Sequence, residues 1–362
     1  MAKFPLTEMA VKMFCPDNVV QLDDAGLPSI LVYIPAFKNS DVLIGGDDSI
    51  HPAFIVNGVQ IAGFYYSKYQ NVVYNGKAYS LPAEDPTVGS FNRAEQYSES
   101  KGYGWHLSTA AEWAAIALWC KKNGLNPYGN NNYGKDCHES NYKALPTYYN
   151  NDGNIGRVAT GTGPLTWSHD GTKSGIWDMN GNIWEWQSGL RFVWGELQIL
   201  ANNDAADADN PKNTTSTCWK AINAADGSLV EPECSVSDSA AKSSGNTVKI
   251  DWVDSVWQYA TGVSTENANA QCSFKNVICT TAIGDAAKSL LRALVLLPEE
   301  GASYSEGVDP AVWLKNTDEQ FILRGGHWYN TTNAGLDSIM CQTRNATGEQ
   351  FGFRSAYIPD IG

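Results

Sequence analysis

Four short words spread across 362 residues constrain this chain more than any other feature: WHLSTAAEWAAIA at 105–117, GIWDMNGNIWEW at 175–186, LRGGHW at 323–328 and FGFR at 351–354. Each couples large aromatic or aliphatic residues to groups that allow or cap sharp backbone paths, so each reads as a fixed corner around which a core packs. In the first, Thr109 and Glu112 form a capping box ahead of Trp113, Ile116, Ala117 and Cys120 at helical spacing, and Lys121, Lys122 and Gly124 supply the stop. In the second, glycines permit a tight turn, Asn180 and Asn182 satisfy turn amides, and Trp177, Trp184 and Trp186 fill core.

Between the words, Pro28 to Phe64 alternates apolar runs with turn residues, which is strand and hairpin patterning, with Asn57-Gly58 as one turn. Ser90 is placed to cap a helix that ends by Gly102. Residues 123–174 are rich in Asn, Gly, Tyr and Ser and predict long ordered loops. From about Asn202 to Asn246 the chain is polar and rich in small residues, which predicts an exposed excursion with mobile parts. An apolar helix-like run at 286–298 is stopped by Pro298. The final strands run from Phe321 to Ile358.

Charge and composition exclude several classes. A net charge of −14 with no basic stretch argues against binding a nucleic-acid backbone. No apolar run reaches the length of a membrane span, and the N-terminus MAKFPLTEMAVKMF does not read as a signal peptide. The 8 cysteines lack a repeated spacing in a chain large enough to do without disulfides, so most are expected as free thiols. Cys272 and Cys279 have poor zinc spacing, and the histidines (His51, His106, His138, His169, His327) show no ligand pattern. Cys341, near Arg344, has no visible base or pKa-lowering neighbour and reads as a small apolar strand residue.

Taken together and in this order, the four words resemble the formylglycine-generating-enzyme (sulfatase-modifying factor) branch of the C-type lectin fold. The resemblance covers most of 30–192 and 318–357. It implies an α+β fold with mostly antiparallel short strands, two main helices and long loops. The expected organisation is an N-terminal segment, 1–27, followed by one C-type lectin-like domain, 28–362, with 193–317 as a polar insertion and 323–358 as a C-terminal segment. Aligned from the Gly pair, the two catalytic cysteine positions of the family's oxidases fall on Asn330 and Gly335, so that chemistry looks absent. The motif around Asn182 and Glu185 holds calcium in some family enzymes, which makes those two residues a calcium option; no other cofactor is expected. His106 stands where the family usually has Arg and is expected to pack or hydrogen-bond.

The C-terminal segment also resembles the variable region of proteins diversified by diversity-generating retroelements, of the form RGGxWxNxxNAG followed by GFR. Such proteins vary at adenine-rich codons while the glycines, Trp and GFR hold the fold. His327, Tyr329, Asn330, Thr331, Thr332, Asp337 and Ser338 are all products of replacing one adenine in an AAC or AAT codon, or that codon itself. Met340 and Gln342 are not. With Thr343 these ten residues are the expected ligand-binding set, because rigid aromatic rings and adaptable polar groups suit recognition. An ordinary polar loop is the alternative. Trp184, Glu185, Trp186, Arg324, Gly325, Gly326, Trp328, Gly352, Phe353 and Arg354 are expected to be structural, the two arginines bonding to carbonyls or carboxylates inside the fold.

The resemblance therefore implies a receptor-recognition protein on a phage tail or cell surface. Its partner would be a protein or glycan, with homo-oligomer or virion assembly possible and avidity from repeated copies. The alternatives are an enzyme of the formylglycine-generating type with altered chemistry and a structural tail component.

Overall fold

The computed structural model describes residues 6–301 and 307–361. The first five residues of the expected N-terminal segment, on which the reading of a leader partly rests, lie outside the described residues, as do 302–306 of the expected insertion. The fold is α+β, and most strand pairs are antiparallel. Helices are α1 (Leu6–Phe14), the single turn α2 (Asn39–Val42), α3 (Phe91–Glu99), α4 (Ala110–Lys122) and α5 (Asp285–Ala293). Nothing in the sequence reading anticipated α1.

Two sheets organise the chain. A 5-stranded sheet runs in the order Val19–Leu22, Pro28–Pro35, Gly63–Ser67, Ser355–Tyr357, Trp105–Leu107, so the last strand of the chain sits between early ones. A 12-stranded sheet is centred on Trp184–Val193, flanked by Glu319–Gly325 and Glu196–Ile199. The Asn57-Gly58 turn joins Ile55–Val56 to Val59–Gln60, with φ of 50° and 75° at its two central residues, the backbone a tight two-residue hairpin needs.

α4 lies against the central strands and is buried on almost every side, as its all-round apolar sequence requires. Its capping box forms: Thr109 Oγ1 accepts from the Glu112 N–H at 3.1 Å, and Glu112 Oε2 accepts from the Thr109 N–H at 3.1 Å. The other Glu112 oxygen takes His106 Nε2 at 2.8 Å and Asn203 Nδ2 at 3.2 Å, which gives His106 its hydrogen-bonding role. Ser90 precedes α3, but its side chain makes no capping bond.

The segment 193–317 departs from expectation. Its composition is polar, yet it supplies Glu196–Ile199, Lys220–Ile222, Lys249–Val253, Val256–Ala260, Asn269–Ser273 and Ala311–Lys315 to the large sheet. Within 202–246, Trp219, Ala221, Ile222, Ala224 and Cys234 are buried. Turn residues dominate the composition there because the strands are short, and each contributes at most a few core side chains.

Arg324 ties that segment to the C-terminal motif. Its guanidinium donates to Leu294 O at 2.9 Å and Val295 O at 3.0 Å, His51 Nε2 bonds Ala293 O at 2.9 Å, and Tyr259 Oη donates to Leu296 O at 3.1 Å. These groups satisfy carbonyls at and just beyond the end of α5 that the helix leaves without partners. Burial holds Arg324 down to about 10 and His51 down to about 4.

Arg354 is the second pinned arginine, with no exposed surface. Nε and Nη2 form a fork on Glu185 at 2.8 and 3.0 Å, while Nη1 and Nη2 also donate to Lys68 O at 3.0 Å and Trp177 O at 2.5 Å. Glu185 Oε1 also accepts from Gln70 Nε2 at 3.0 Å, and Asn182 Oδ1 accepts from the Val158 N–H at 2.9 Å and Asn130 Nδ2 at 3.1 Å. The calcium option at Asn182 and Glu185 is therefore corrected. Both are buried, their oxygens are engaged by protein donors, and a cation at Glu185 would have to displace the arginine.

Two predictions follow from these buried groups. Glu185→Gln leaves the Arg354 charge buried without its partner and is expected to lower the unfolding free energy by about 3–5 kcal/mol, read from urea denaturation. The second concerns pH. His51 titrates near 6.5 when unfolded and about 4 when folded, so its stabilising preference is intact above 6.5 and is lost as pH falls toward 4. Between pH 6.5 and 4.5 the wild type should lose about 2–3 kcal/mol more stability than His51→Gln, by urea titrations at each pH. Using the difference between the two proteins cancels the opposite trend of Asp178 and Glu95, whose carboxyls burial pushes up to about 6 and about 7.

Candidate functional site

Residues 326–334 leave the sheet as an excursion between the antiparallel strands Glu319–Gly325 and Gly335–Gln342. Their pairing shifts register between Arg324 and Gly325, where Gly325 meets Gly335. Gly326 has φ of 84°, and a Cβ there would come within 2.5 Å of the Ala334 side chain, so the excursion can close only on glycine. Asn330 holds the turn from inside: its Oδ1 accepts the His327 N–H at 2.8 Å, and its own N–H donates to His327 O at 3.1 Å.

The loop that carries Asn131 and Tyr133, together with the stretch at Asp309, supports the turn from outside. The Thr331 N–H donates to Asn131 O at 2.8 Å, the Tyr133 N–H donates to Trp328 O at 2.7 Å, and the Asp309 N–H donates to Thr332 O at 2.9 Å. Rings then stack outward. His327 and Trp328 meet edge to face at 5.0 Å, His327 and Tyr329 at 4.0 Å, and Tyr329 lies over Tyr133 at 6.3 Å and 23°. Tyr329 is 50% exposed, and Asn330, Thr331 and Thr332 are half-buried beside it. These four residues and Tyr133 make a patch of two aromatic rings with amide and hydroxyl groups around them.

The remaining expected binding residues fall elsewhere, and four of them need correction. His327, Asp337, Ser338 and Met340 are buried. Burial alone pushes the His327 imidazole down to about 3 and keeps it neutral. Asp337 pairs with Lys121 of α4 at 2.7 Å, Ser338 Oγ donates to Asn333 O at 2.7 Å, and Met340 joins a core cluster with Trp186, Phe321 and Leu323. The reason is topological: Gly335–Gln342 runs between Ala311–Lys315 and Glu319–Gly325, and both of its faces are covered. Gln342 and Thr343 do reach the surface, but at the other end of this strand, about 23 Å from Gly335 at 3.3 Å per residue. Gln342 is engaged there by Lys315 Nζ at 2.8 Å.

Tyr133 and Asn131 were not singled out in the sequence. The available signal was the concentration of Tyr and Asn in 126–149. Trp184, Trp186, Trp328, Gly352 and Phe353 are buried in and around the sheet. Of the two positions expected to align with the oxidases' cysteines, Asn330 holds the turn and Gly335 begins a strand. Cys341 is fully enclosed, its Sγ accepts the Lys315 N–H at 3.1 Å, and burial pushes its thiol up to about 12, the opposite of what a nucleophile needs.

Among the described residues, Asp136, Cys137 and His138 bring three ligand-type atoms within 4.8 Å of one another. The Asp136 carboxylate already accepts from four donors: Gly129 N, Asn131 Nδ2, His138 N and the His138 ring. It serves as the clasp of the loop that carries Tyr133, and burial pushes the Cys137 thiol up to about 11.

No helix among the described residues is long and apolar enough to cross a membrane. No family model matches the chain, and no curated protein matches it. Among solved structures it is similar to PvdO from Pseudomonas aeruginosa, with a TM-score of 0.38, 14% identity, and coverage of 94% of this chain and 97% of that one. It is similar to Treponema denticola variable protein 1, with a TM-score of 0.30, 10% identity, and coverage of 94% and 99%. It is also similar to the P3c variant of the Major Tropism Determinant, with a TM-score of 0.29, 11% identity, and coverage of 94% and 71%.

Proposed function

We propose that the chain is a ligand-binding protein without catalytic function, and that Tyr329, Asn330, Thr331 and Thr332, with Tyr133 beside them, form its contact patch. The observation that carries the reading is the way Tyr329 is held. It is half exposed at the tip of a turn whose two ends are fixed by glycine-dependent closure and whose middle is bonded to a second loop. Such a ring offers contact area at little conformational cost. Cys341, on the strand that leaves the turn, is closed off by burial, and burial also pushes the thiol of Cys137, in the loop beside the turn, up to about 11, so neither favours an altered oxidase.

In this reading the fold is a C-type lectin-like domain over 28–362, elaborated by 193–317, and the C-terminal segment 323–358 is subject to retroelement diversification. The partner is a protein or glycan on a cell surface, engaged from a phage tail or from another cell, with repeated copies in an oligomer or virion adding avidity. Diversification is proposed across codons 329–332, most freely at 329 and 332, and, separately, for 342–343; the buried positions 327, 337, 338 and 340 are constrained by packing.

Two outcomes are expected. Sequencing the coding DNA for residues 320–358 from many clones of the source population should find substitutions concentrated at the exposed codons and matched to adenines in a nearby near-copy. A uniform sequence with no near-copy would remove the diversification reading. Tyr329→Ala should weaken binding to cells of the recognised host by about 30-fold, the scale of an interface anchor worth roughly 2 kcal/mol, with the melting temperature nearly unchanged. Equal loss of fold and binding would sink the patch.

A further inference from the structure

We propose that the cleft between the Pro28–Pro35 strand and the C-terminal half of α4 is a second binding site, for an organic cation with an apolar body. The cleft has a volume of 700 Å³, within the range of small-molecule sites. Val32, Phe37, Ile116 and Trp119 are among the apolar side chains that line it. Three carboxylates, Asp17, Asp41 and Asp170, stand around it against the single ammonium of Lys122. Asp17 is exposed and makes no ion pair among the described residues, so the local field favours a positive ligand, as does the −14 net charge of the chain.

His169 supplies an independent sign that the cleft is built to hold something. Only 5% of it is exposed, it lines the cleft, and its ring lies 5.5 Å from that of Trp119. The Ile176 N–H donates to its Nδ1 at 2.8 Å, which leaves the ring proton on Nε2, and no acceptor among the described residues meets that proton. Burial keeps the ring neutral, with its pKa pushed down to about 4. That Nε2 proton opens on the cleft, where an ether, hydroxyl or carbonyl oxygen of a ligand would accept it in place of water. The ligand class is thus an apolar body carrying one such oxygen and a cationic end, the oxygen meeting His169 and the cation meeting the carboxylates.

This site is separate from the Tyr329 patch. α4 stands between the cleft and the Gly335–Gln342 strand: Trp113 Nε1 donates to Leu336 O at 2.9 Å and Lys121 pairs with Asp337, while Ile116, Trp119 and Lys122 line the cleft.

The test uses two probes of similar size and opposite charge, propranolol (a naphthyl ether amine) and naproxen (a naphthyl ether carboxylate), by isothermal titration against the full chain. Propranolol is expected to bind at least tenfold more tightly than naproxen. Asp17→Asn, at an exposed side chain, should weaken it several-fold, and Ala36→Trp, which fills the cleft, should abolish it. Melting temperatures of both variants are read alongside, and if Ala36→Trp does not fold, Asp17→Asn decides. Equal or tighter binding of naproxen, no heat with propranolol at millimolar concentration, or propranolol binding unchanged in Asp17→Asn would overturn the assignment.

Discussion

The bidentate pair between Arg354 and Glu185 is the interaction on which the rest of the structure depends. Arg354 follows the strand Phe351–Phe353, Glu185 lies on the central strand Trp184–Val193, and the same guanidinium bonds the carbonyls of Lys68 and Trp177. One buried cation thereby joins both sheets and the Trp-rich turn. Here the burial of that charge is offset by the fixed carboxylate of Glu185 and by the backbone carbonyls its remaining donors reach. That anchoring propagates through a line of amides. Gln70 bonds Glu185, Asn182 donates to Gln70 Oε1 at 2.7 Å, Asn130 donates to Asn182, and Asn130 Oδ1 accepts the Gly134 N–H at 2.7 Å. The line ends next to Tyr133, so the loop under the contact patch is positioned by the core pair.

The second arginine makes the C-terminal motif and the 193–317 segment interdependent. Arg324 sits on the strand that leads into the excursion, and its bonds fall on carbonyls that follow α5. Neither piece is complete without the other: removing the segment would strand a buried guanidinium, and removing the arginine would strand the carbonyls. The middle of the chain is thus part of the frame that presents Tyr329.

Much of this frame was legible in the sequence wherever the signal is local. The capping box at Thr109 and Glu112, the Asn57-Gly58 hairpin, the helix within 286–298 and the irregular 123–174 stretch all depend on residues a few positions apart. What was not legible depends on tertiary cover. Asp337 and Ser338 read as surface groups because their chemistry is polar, but their strand is interior to the sheet and α4 supplies Lys121 as a partner. The 202–246 stretch read as exposed because single core residues such as Trp219 and Ile222 are scattered among turn residues, too sparsely for any period to register. Tyr133 was missed because the bonds that seat its loop on the turn run between backbone groups, which leave no mark on side-chain pattern, and its ring meets Tyr329 across a long stretch of sequence.

Those backbone bonds bear on how freely the patch can change. The contacts that seat the turn on its neighbour, Thr331 N–H to Asn131 O and Tyr133 N–H to Trp328 O, use no side-chain atom of the turn, so they are indifferent to what stands at 329 or 332, whereas Thr331, with φ of 52°, holds a left-handed backbone that restricts its side chain. Asn330 is different, because its amide oxygen accepts the His327 N–H that closes the loop. Of four neighbouring positions, two can be rewritten while the scaffold keeps its shape, and the other two trade recognition against backbone conformation and closure. A repertoire built on this turn has two free letters and two limited by the grammar of the loop.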